Sequence, residues 1–158
     1  MENKFLAKSN GETIMEHTEN LINNFKNFFT IYSDINVSKK LLLLACIYHD
    51  LGKINKKFQS KLSGQKQNGE LPHGLLSTSF IDSKSLSENY FDKSDIKVLS
   101  YSVALHHERD ISEISEEDFS KEIELMNIEA DYFLSYLEKL QDIYSVSYTH
   151  LTLPTNRE

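Results

Sequence analysis

The pentapeptide His49-Asp50-Leu51-Gly52-Lys53 gives the clearest indication of architecture, because a histidine and a carboxylate stand side by side after an apolar run. Four further histidines accompany it, at His17, His73, His106 and His107. Imidazole nitrogen and carboxylate oxygen together suit divalent transition metals such as Mn, Fe, Co, Ni or Zn. A histidine-aspartate dipeptide alone is common by chance, but the ordered set predicts one metal-binding cluster.

The residues around this pentapeptide predict a buried helix that ends at the cluster. Ser38 is the expected N-cap of a helix over residues 39 to about 50. Its run at 41–47 is apolar on all sides, which is typical of a central buried helix. Gly52 follows where a C-terminal glycine cap belongs. The histidine-aspartate pair would then lie on the last turn of a rigid element.

The rest of the chain also has helical periodicity. Thr13-Ile14-Met15-Glu16 has the form of a capping box and predicts a helix over 13–31, with His17 on its inward face. Further helices are predicted at 53–62, 73–83, 94–107 and 115–144, with a mobile-looking loop at 63–71. No convincing strand pairing is present. The fold is therefore predicted to be an all-α bundle with a metal site at its centre.

Length and composition describe an ordinary globular protein. At 158 residues the chain is one domain, which buries roughly 70% of its unfolded surface. Residues 1–8 contain no apolar signal region, and no run approaches the roughly 20 apolar residues that cross a bilayer. The lone Cys46 cannot form an intrachain disulfide, and its apolar surroundings predict a buried thiol. A reducing compartment and a cytoplasmic location are expected.

Charge is distributed unevenly along the chain. The net charge of −7 argues against non-specific binding of nucleic acid by the whole surface. A basic strip nevertheless follows the histidine-aspartate pair, and its candidate nucleic-acid contacts are Lys53, Lys56, Lys57 and Lys61. Such a strip would guide a phosphate backbone. A solvated surface face explains the same lysines equally well.

The histidines and the aspartate have the composition of a two-metal hydrolytic site, which needs a bridging carboxylate with neutral donors on both sides. Asp50 is the natural bridge, with His17 and His49 on one ion and His73, His106 and His107 on the other. Adjacent helical residues diverge by about 100 degrees, so the last two histidines converge only at a fraying helix end. Lys53 would neutralise charge on a phosphoryl group, which favours phosphate-ester hydrolysis.

Each candidate also has a purely structural explanation. His17 would be a hydrogen-bonded core residue, His73 a helix-start residue, and His106-His107 a polar helix end. The joint occurrence of all five histidines with the aspartate favours the metal site. Ser77 and Ser79 are either hydrogen-bonding partners of the site or surface serines, and the sequence does not decide between these roles.

The order of six motifs resembles that of a known family. They are Ala7-Lys8-Ser9, Glu16-His17-Thr18, His49-Asp50-Leu51-Gly52-Lys53, Phe58-Gln59, His73-Gly74-Leu75-Leu76-Ser77 and His106-His107. Over about residues 5–110 they resemble the HD nuclease domain of CRISPR-associated type I effectors, the nuclease of the Cas-three helicase-nuclease. The third motif alone would indicate only the broad HD phosphohydrolase superfamily. The resemblance to the narrower family rests on three of the other motifs, Ala7-Lys8-Ser9, Phe58-Gln59 and His73-Gly74-Leu75-Leu76-Ser77.

This resemblance implies an all-helical HD fold that binds two divalent transition metal ions, Mn, Fe, Co or Ni rather than Mg or Zn. It implies cleavage of single-stranded DNA in antiviral defence. The implied partners are a helicase domain, fused or separate, and a CRISPR RNA-guided surveillance complex, with no membrane. By position, His17, His49 and Asp50 match the ligands of one metal. Asp50, His73, His106 and His107 match the ligands of the other, and Lys53 matches the lysine that follows the histidine-aspartate pair in the family.

The C-terminal part departs from the family pattern. The family has a further aspartate late in the domain, for which Asp131 and Asp142 are candidates. Residues 147–158 lose the helical period and resemble an adapter-derived peptide, with a disordered terminus as the alternative. We therefore expect an HD-type nuclease domain over 1–146, incomplete at its C-terminus, and His150 outside the site.

Two other functions remain open at this point. One is an HD phosphohydrolase that acts on a small nucleotide with the same metals in a closed pocket. The other is a non-catalytic module that keeps the fold for docking partners. The intact histidine-aspartate set argues against the second, and the basic strip with the 63–71 loop favours an open groove for a polymer.

Overall fold

The structure, a computed structural model, describes residues 5–107 and 113–126. These form seven α-helices, namely α1 (Ile14–Ile31), α2 (Lys39–Tyr48), α3 (Lys56–Leu62), α4 (His73–Ser77), α5 (Ser83–Asn89), α6 (Lys93–Ala104) and α7 (Glu116–Met126). Two 3₁₀ turns, Leu51–Ile54 and Thr78–Phe80, follow α2 and α4. The described residues contain no strand, only an isolated bridge between Leu6 and Thr13. The predicted all-α fold is confirmed.

Local sequence explains where several helices begin. Thr13 and Glu16 form the predicted capping box, with the Glu16 amide donating to Thr13 Oγ1 over 3.1 Å. Ser38 caps α2, and α6 starts from a second capping box between Asp92 and Asp95. These side chains satisfy amides that have no partner within the helix. The starts of α1 and α2 therefore lie where the sequence predicts them.

The residues on either side of the histidine-aspartate pair in sequence belong to the core. Its most completely buried side chains include Ile14, Ile22, Ile47, Tyr48, Leu51, Leu99 and Val103. Helix α2 packs against α1 and α6, and α4 packs against α6 and the first 3₁₀ turn. Full burial of an aliphatic side chain stabilises by about 1.5–3 kcal/mol. The helices that carry the five histidines are thus held by one shared core. None of the described helices combines the length and apolar character needed to cross a membrane.

Helix α2 is less buried than its sequence predicts. Only Ile47 and Tyr48 are fully buried, whereas residues 41–46 are half-buried. The helix packs along one side against α1 and α6, and no other described element makes extensive contact with it. Cys46 belongs to this half-buried part, so its thiol is half-buried rather than buried as the sequence predicts. Partial burial still raises the pKa of its thiol to about 11.

Gly52 does not have the role predicted for it. Helix α2 ends at Tyr48, and the chain continues through Asp50 into the 3₁₀ turn without a left-handed glycine cap. A Cβ atom at Gly52 would lie 2.0 Å from the carbonyl oxygen of His73 and 2.8 Å from the amide nitrogen of Ser77. Glycine is required here because the backbone of α4 packs directly on the turn.

Gly74, within α4, likewise allows close backbone contact, in this case between α4 and the end of α6. A Cβ atom there would lie 2.7 Å from the carbonyl oxygen of Ala104 and 2.8 Å from that of Val103. The end of α6, which leads to His106, can therefore approach α4 closely. Gly52 and Gly74 thus allow the backbones of the 3₁₀ turn, α4 and the end of α6 to pack closely together at the site.

Other boundaries differ from prediction because turns interrupt the periodic segments. The helix predicted over 53–62 begins at Lys56, after a cap at Asn55 whose side chain accepts from two amides. The segment predicted over 73–83 is α4 with its 3₁₀ turn, and α5 was not predicted. Of the helix predicted over 115–144, the structure describes Glu116–Met126. The proposed boundary at 146 lies outside the described residues.

A buried carboxylate joins α7 to the start of α3. Glu122 is 5% exposed, accepts a hydrogen bond from Asn55 Nδ2 over 2.7 Å and forms an ion pair with Lys57. Lys57 also donates to the carbonyl oxygen of Gly69 over 3.2 Å. Helix α7 is therefore tied to the residues that follow the 3₁₀ turn.

We expect Glu122→Ala to lower the free energy of unfolding by about 2–3 kcal/mol, because it leaves a buried amide and an ammonium without their charged partner. Urea denaturation would measure the change. Glu117→Ala is the matched control on α7, since Glu117 is exposed and pairs only with Lys121 among described residues. Its effect should stay within about 0.5 kcal/mol. Equal effects of both variants would contradict the structural role of Glu122.

Candidate metal centre

Asp50 lies at the centre of the site and is 1% exposed. One of its oxygens, Oδ2, faces two imidazoles and an ammonium. It lies 3.4 Å from His17 Nε2, 3.2 Å from His49 Nε2 and 2.8 Å from Lys53 Nζ. Helix α1 contributes the first of these groups, and the end of α2 with its 3₁₀ turn contributes the others.

The second oxygen of Asp50 faces a different pair of imidazoles. Oδ1 lies 3.2 Å from His73 Nε2 and 3.6 Å from His106 Nε2, and these two nitrogens are 3.2 Å apart. His107 follows in the turn after α6, and its ring centroid is 4.1 Å from that of His106. Adjacent histidines converge here because α6 has already ended at Ala104.

The potential ligand atoms divide into two sets that share Asp50. Within each set all atoms lie within 4.8 Å of one another. The sets are His17, His49 and Asp50 on one side, and Asp50, His73, His106 and His107 on the other. The structure therefore brings together every histidine of the predicted cluster. His150 lies outside the described residues.

The carboxylate of Asp50 fits a bound cation. Its Oδ1 atom is buried and has no hydrogen bond of acceptable geometry to any residue that the structure describes, although imidazole nitrogens are near. A buried carboxylate oxygen without a partner is costly. A divalent cation in contact with this oxygen and the adjacent imidazole nitrogens would supply the missing partner. The chemistry of the donor set thus agrees with a divalent transition metal.

Backbone carbonyls orient two of the imidazoles. His49 Nδ1 lies 2.8 Å from the carbonyl oxygen of Cys46, and His106 Nδ1 lies 2.7 Å from that of Val103. A carbonyl only accepts, so Nδ1 carries the proton in both rings. In the neutral form of each ring, the Nε2 lone pair then faces Asp50 and is available to a metal.

The charge state of the cluster suits metal binding. Burial alone would raise the pKa of Asp50, but the hydrogen bonds that His106, His49 and His73 donate to it when their Nε2 atoms are protonated outweigh burial and hold that pKa well below its ordinary value. Burial lowers the pKa of His73, with Asp50 opposing this effect. Partial desolvation and the neighbouring imidazoles lower the pKa of His107 to about 4. An ionised carboxylate and neutral imidazoles are the forms that bind metal.

Lys53 is held inside the site. It is 7% exposed, pairs with Asp50, and its Nζ lies 5.6 Å from the centroid of the Phe58 ring. Phe58 also packs edge-on against His73, with centroids 5.4 Å apart. The first residue of the Phe58-Gln59 motif is therefore part of the wall of the site.

The other lysines of the basic strip occupy three different environments. Lys57 pairs with Glu122, and Lys61 pairs with Glu70 over 2.8 Å. Lys56 is exposed and forms no ion pair with any residue in the described part of the chain. As a contact for a phosphate backbone, Lys56 is the most available of the three.

Ser77 links the backbones of two histidines. Its hydroxyl accepts from the amide of Gly52 over 2.7 Å and lies 2.8 Å from the carbonyl oxygen of His73 and 2.9 Å from that of His49. Among the described residues, the Ser79 hydroxyl donates one hydrogen bond, to the carbonyl oxygen of Leu76 in its own turn, over 2.7 Å. The alternative left open by the sequence is thus resolved in favour of Ser77.

Two polar residues near the site were not predicted to act there. Glu12 Oε1 lies 3.3 Å from His17 Nδ1. Gln59 binds the backbone of Leu6 and donates to the carbonyl oxygen of Lys53 over 2.7 Å. The Phe58-Gln59 motif was a signal for the second, but Glu12 belongs to no periodic pattern. The late-aspartate candidates, Asp131 and Asp142, lie outside the described residues.

Comparison with known proteins identifies the family. A family model described as "Cas3, HD domain" matches residues 12–148. No curated protein and no solved structure gives a significant match. The family match and the histidine-aspartate cluster indicate a metal-dependent hydrolase of the HD nuclease and phosphohydrolase type, in a CRISPR-associated context. Because the match covers most of the chain, this protein belongs to the HD-domain family of Cas3.

Proposed function

We propose that this chain is a nuclease domain, spanning residues 1–146, that cleaves single-stranded DNA in CRISPR antiviral defence. Its proposed partners are a helicase domain, fused or separate, and an RNA-guided surveillance complex. The observation that carries the proposal is the division of ligand atoms around Asp50 into two sets. Family membership supplies the phosphodiester chemistry and the CRISPR context.

The two sets have separate roles in this proposal. His17, His49 and Asp50 would hold one cation, and Asp50, His73, His106 and His107 would hold the other. Imidazole donors outnumber carboxylate donors, which favours Mn, Fe, Co or Ni over Mg. When bound, a pair of such cations supplies Lewis-acid activation of water and stabilisation of the leaving oxygen.

The chain's own residues provide the remaining parts of the chemistry. Asp50 offers one oxygen to each set and so fixes the distance between the two sets of ligand atoms. Lys53 brings a positive charge 2.8 Å from Asp50 Oδ2, where it stabilises negative charge that develops on a phosphoryl group. Because Lys53 is buried, that interaction is screened little by solvent.

A polymeric substrate is supported by the exposure of the rim. His107 is exposed, and the side chain of His17 retains 25% of its accessible surface. These two residues belong to opposite sets, so the site opens to solvent on both sides of Asp50. Lys56, exposed near the buried Lys53, provides a contact for the backbone of a strand that extends beyond the site.

The proposal is tested by incubating the protein with Mn²⁺, Co²⁺ or Ni²⁺ and circular single-stranded DNA, in parallel with a panel of nucleotides. We expect DNA cleavage that chelation abolishes. Lys56→Gln should raise KM for DNA several-fold and reduce the log–log salt slope by about 0.7, the contribution of one phosphate contact to a single strand.

Lys40→Gln is the matched control, because Lys40 is an exposed lysine of α2 with no ion pair among the described residues. It should keep the wild-type KM and salt slope. Turnover of nucleotides with DNA left intact would instead identify a small-molecule phosphohydrolase and refute the nuclease proposal.

A further inference from the structure

We infer that Glu12 is a positioning residue that fixes the imidazole of His17 for metal binding. The inference rests on the proposed two-metal site. His17 Nε2 faces Asp50 Oδ2 at 3.4 Å, while its other ring nitrogen, Nδ1, lies 3.3 Å from Glu12 Oε1. An ionised carboxylate only accepts, so Nδ1 donates the proton and Nε2 keeps its lone pair.

Helix geometry explains why His17 needs a partner from outside its own helix. His49 and His106 follow helix C-termini, where the last four carbonyls have no partner within the helix. Each binds the carbonyl three residues earlier. His17 lies on the first turns of α1, where the carbonyls accept from the following turn and only amides are unpaired. Its orienting acceptor must therefore come from elsewhere, and Glu12 supplies it.

The turn that precedes α1 holds Glu12 in place. The Ala7 amide donates to the Glu12 carbonyl oxygen over 2.7 Å, and Lys8 Nζ lies 2.6 Å from Glu12 Oε2. The side-chain amide of Gln59 binds both backbone groups of Leu6, over 3.0 and 2.9 Å. The Ala7-Lys8-Ser9 and Phe58-Gln59 motifs contain no metal ligand. Through Leu6 and the hydrogen bond from Ala7 to Glu12, both motifs thus support the turn that holds Glu12.

Metal titration of the full chain tests this assignment by calorimetry with Mn²⁺ and by visible absorption with Co²⁺. We expect two binding events for the wild type. Glu12→Ala should weaken one event by about 10- to 100-fold, the effect of removing an outer partner of a ligating histidine, and leave the other unchanged. Glu12→Gln should show a smaller loss, because its amide oxygen still accepts from Nδ1.

The tautomer of His17 reports on the contact between its Nδ1 atom and Glu12 without any metal being bound. In metal-free wild type, long-range ¹H–¹⁵N spectra should show the Nδ1-protonated form of His17. Glu12→Ala should show a mixture of both tautomers. The same mixture in wild type would overturn the inference.

Glu16→Ala is the matched control, because Glu16 caps α1 through Thr13 and its loss weakens the same helix end. Its metal affinities should equal those of the wild type. An equal loss in Glu16→Ala would show that helix fraying alone weakens the site, and unchanged affinities in Glu12→Ala would also refute the role of Glu12. In either case, a wild-type protein that binds two metal ions would leave the proposed function intact. A wild-type protein that binds no metal would refute both the proposed function and the role of Glu12.

Discussion

Asp50→Asn is expected to lower the rate of DNA cleavage by more than about 1,000-fold, which exceeds the usual cost of removing one electrostatic stabiliser from an active site. The reason is that each carboxylate oxygen belongs to a different ligand set. An amide nitrogen in place of either oxygen cannot bind a cation, and the substitution removes the negative charge that the two ligand sets share. Initial rates at saturating Mn²⁺, with calorimetric metal binding measured on the same samples, would quantify the loss.

Asp34→Asn provides the comparison for Asp50→Asn, because Asp34 is an exposed aspartate between α1 and α2 whose described partner is Ser33. It should retain wild-type cleavage and metal stoichiometry. Binding of two cations by Asp50→Asn with unchanged affinity would show that Asp50 is not the shared ligand, whatever the effect on rate.

Gly52→Ala is expected to lower the free energy of unfolding by about 3 kcal/mol, the upper part of the range for overpacking. The added methyl group would lie 2.0 Å from the carbonyl oxygen of His73, so α4 must move away from the 3₁₀ turn. That movement would also displace the His73 ring from Asp50. Urea denaturation should reveal the destabilisation, and metal titration should show weaker binding at the set that contains His73.

Gly64→Ala separates steric contact from the general cost of replacing glycine. Gly64 has a positive φ of 82°, and an added Cβ would meet nothing within 4 Å. Its replacement should cost only the backbone strain of about 1 kcal/mol and leave metal binding intact. If both variants were equally destabilised, direct contact between α4 and the turn would not explain why glycine occupies position 52.

The sequence predicted the members of the cluster because their signals are local. His49 and Asp50 stand at the end of an apolar run, His17 follows a capping box, and His106-His107 ends a periodic segment. Helix ends and inward faces can be recognised over four to seven residues, since side-chain direction follows the helical repeat. The same local signals placed the starts of α1 and α2.

The support of the cluster could not be predicted in the same way. Ser77 binds a residue 25 positions away, and Gln59 binds one 53 positions away. The place of Lys57 in the basic strip predicts a contact with nucleic acid, but the strip does not reveal its pairing with Glu122, which lies 65 positions away. Hydrogen bonds between distant segments depend on how helices pack, and no periodic pattern records that packing.

The sequence by itself determined which side chains offer potential ligand atoms and that each of them lies near a helix end. Only the tertiary structure decided how those atoms divide between the two oxygens of Asp50. It also decided that Gly52 and Gly74 are needed for backbone contact rather than for a turn. The physical reason is that ligand identity belongs to single residues, whereas spacing between ligands is set by close packing of α4 between the 3₁₀ turn and the end of α6.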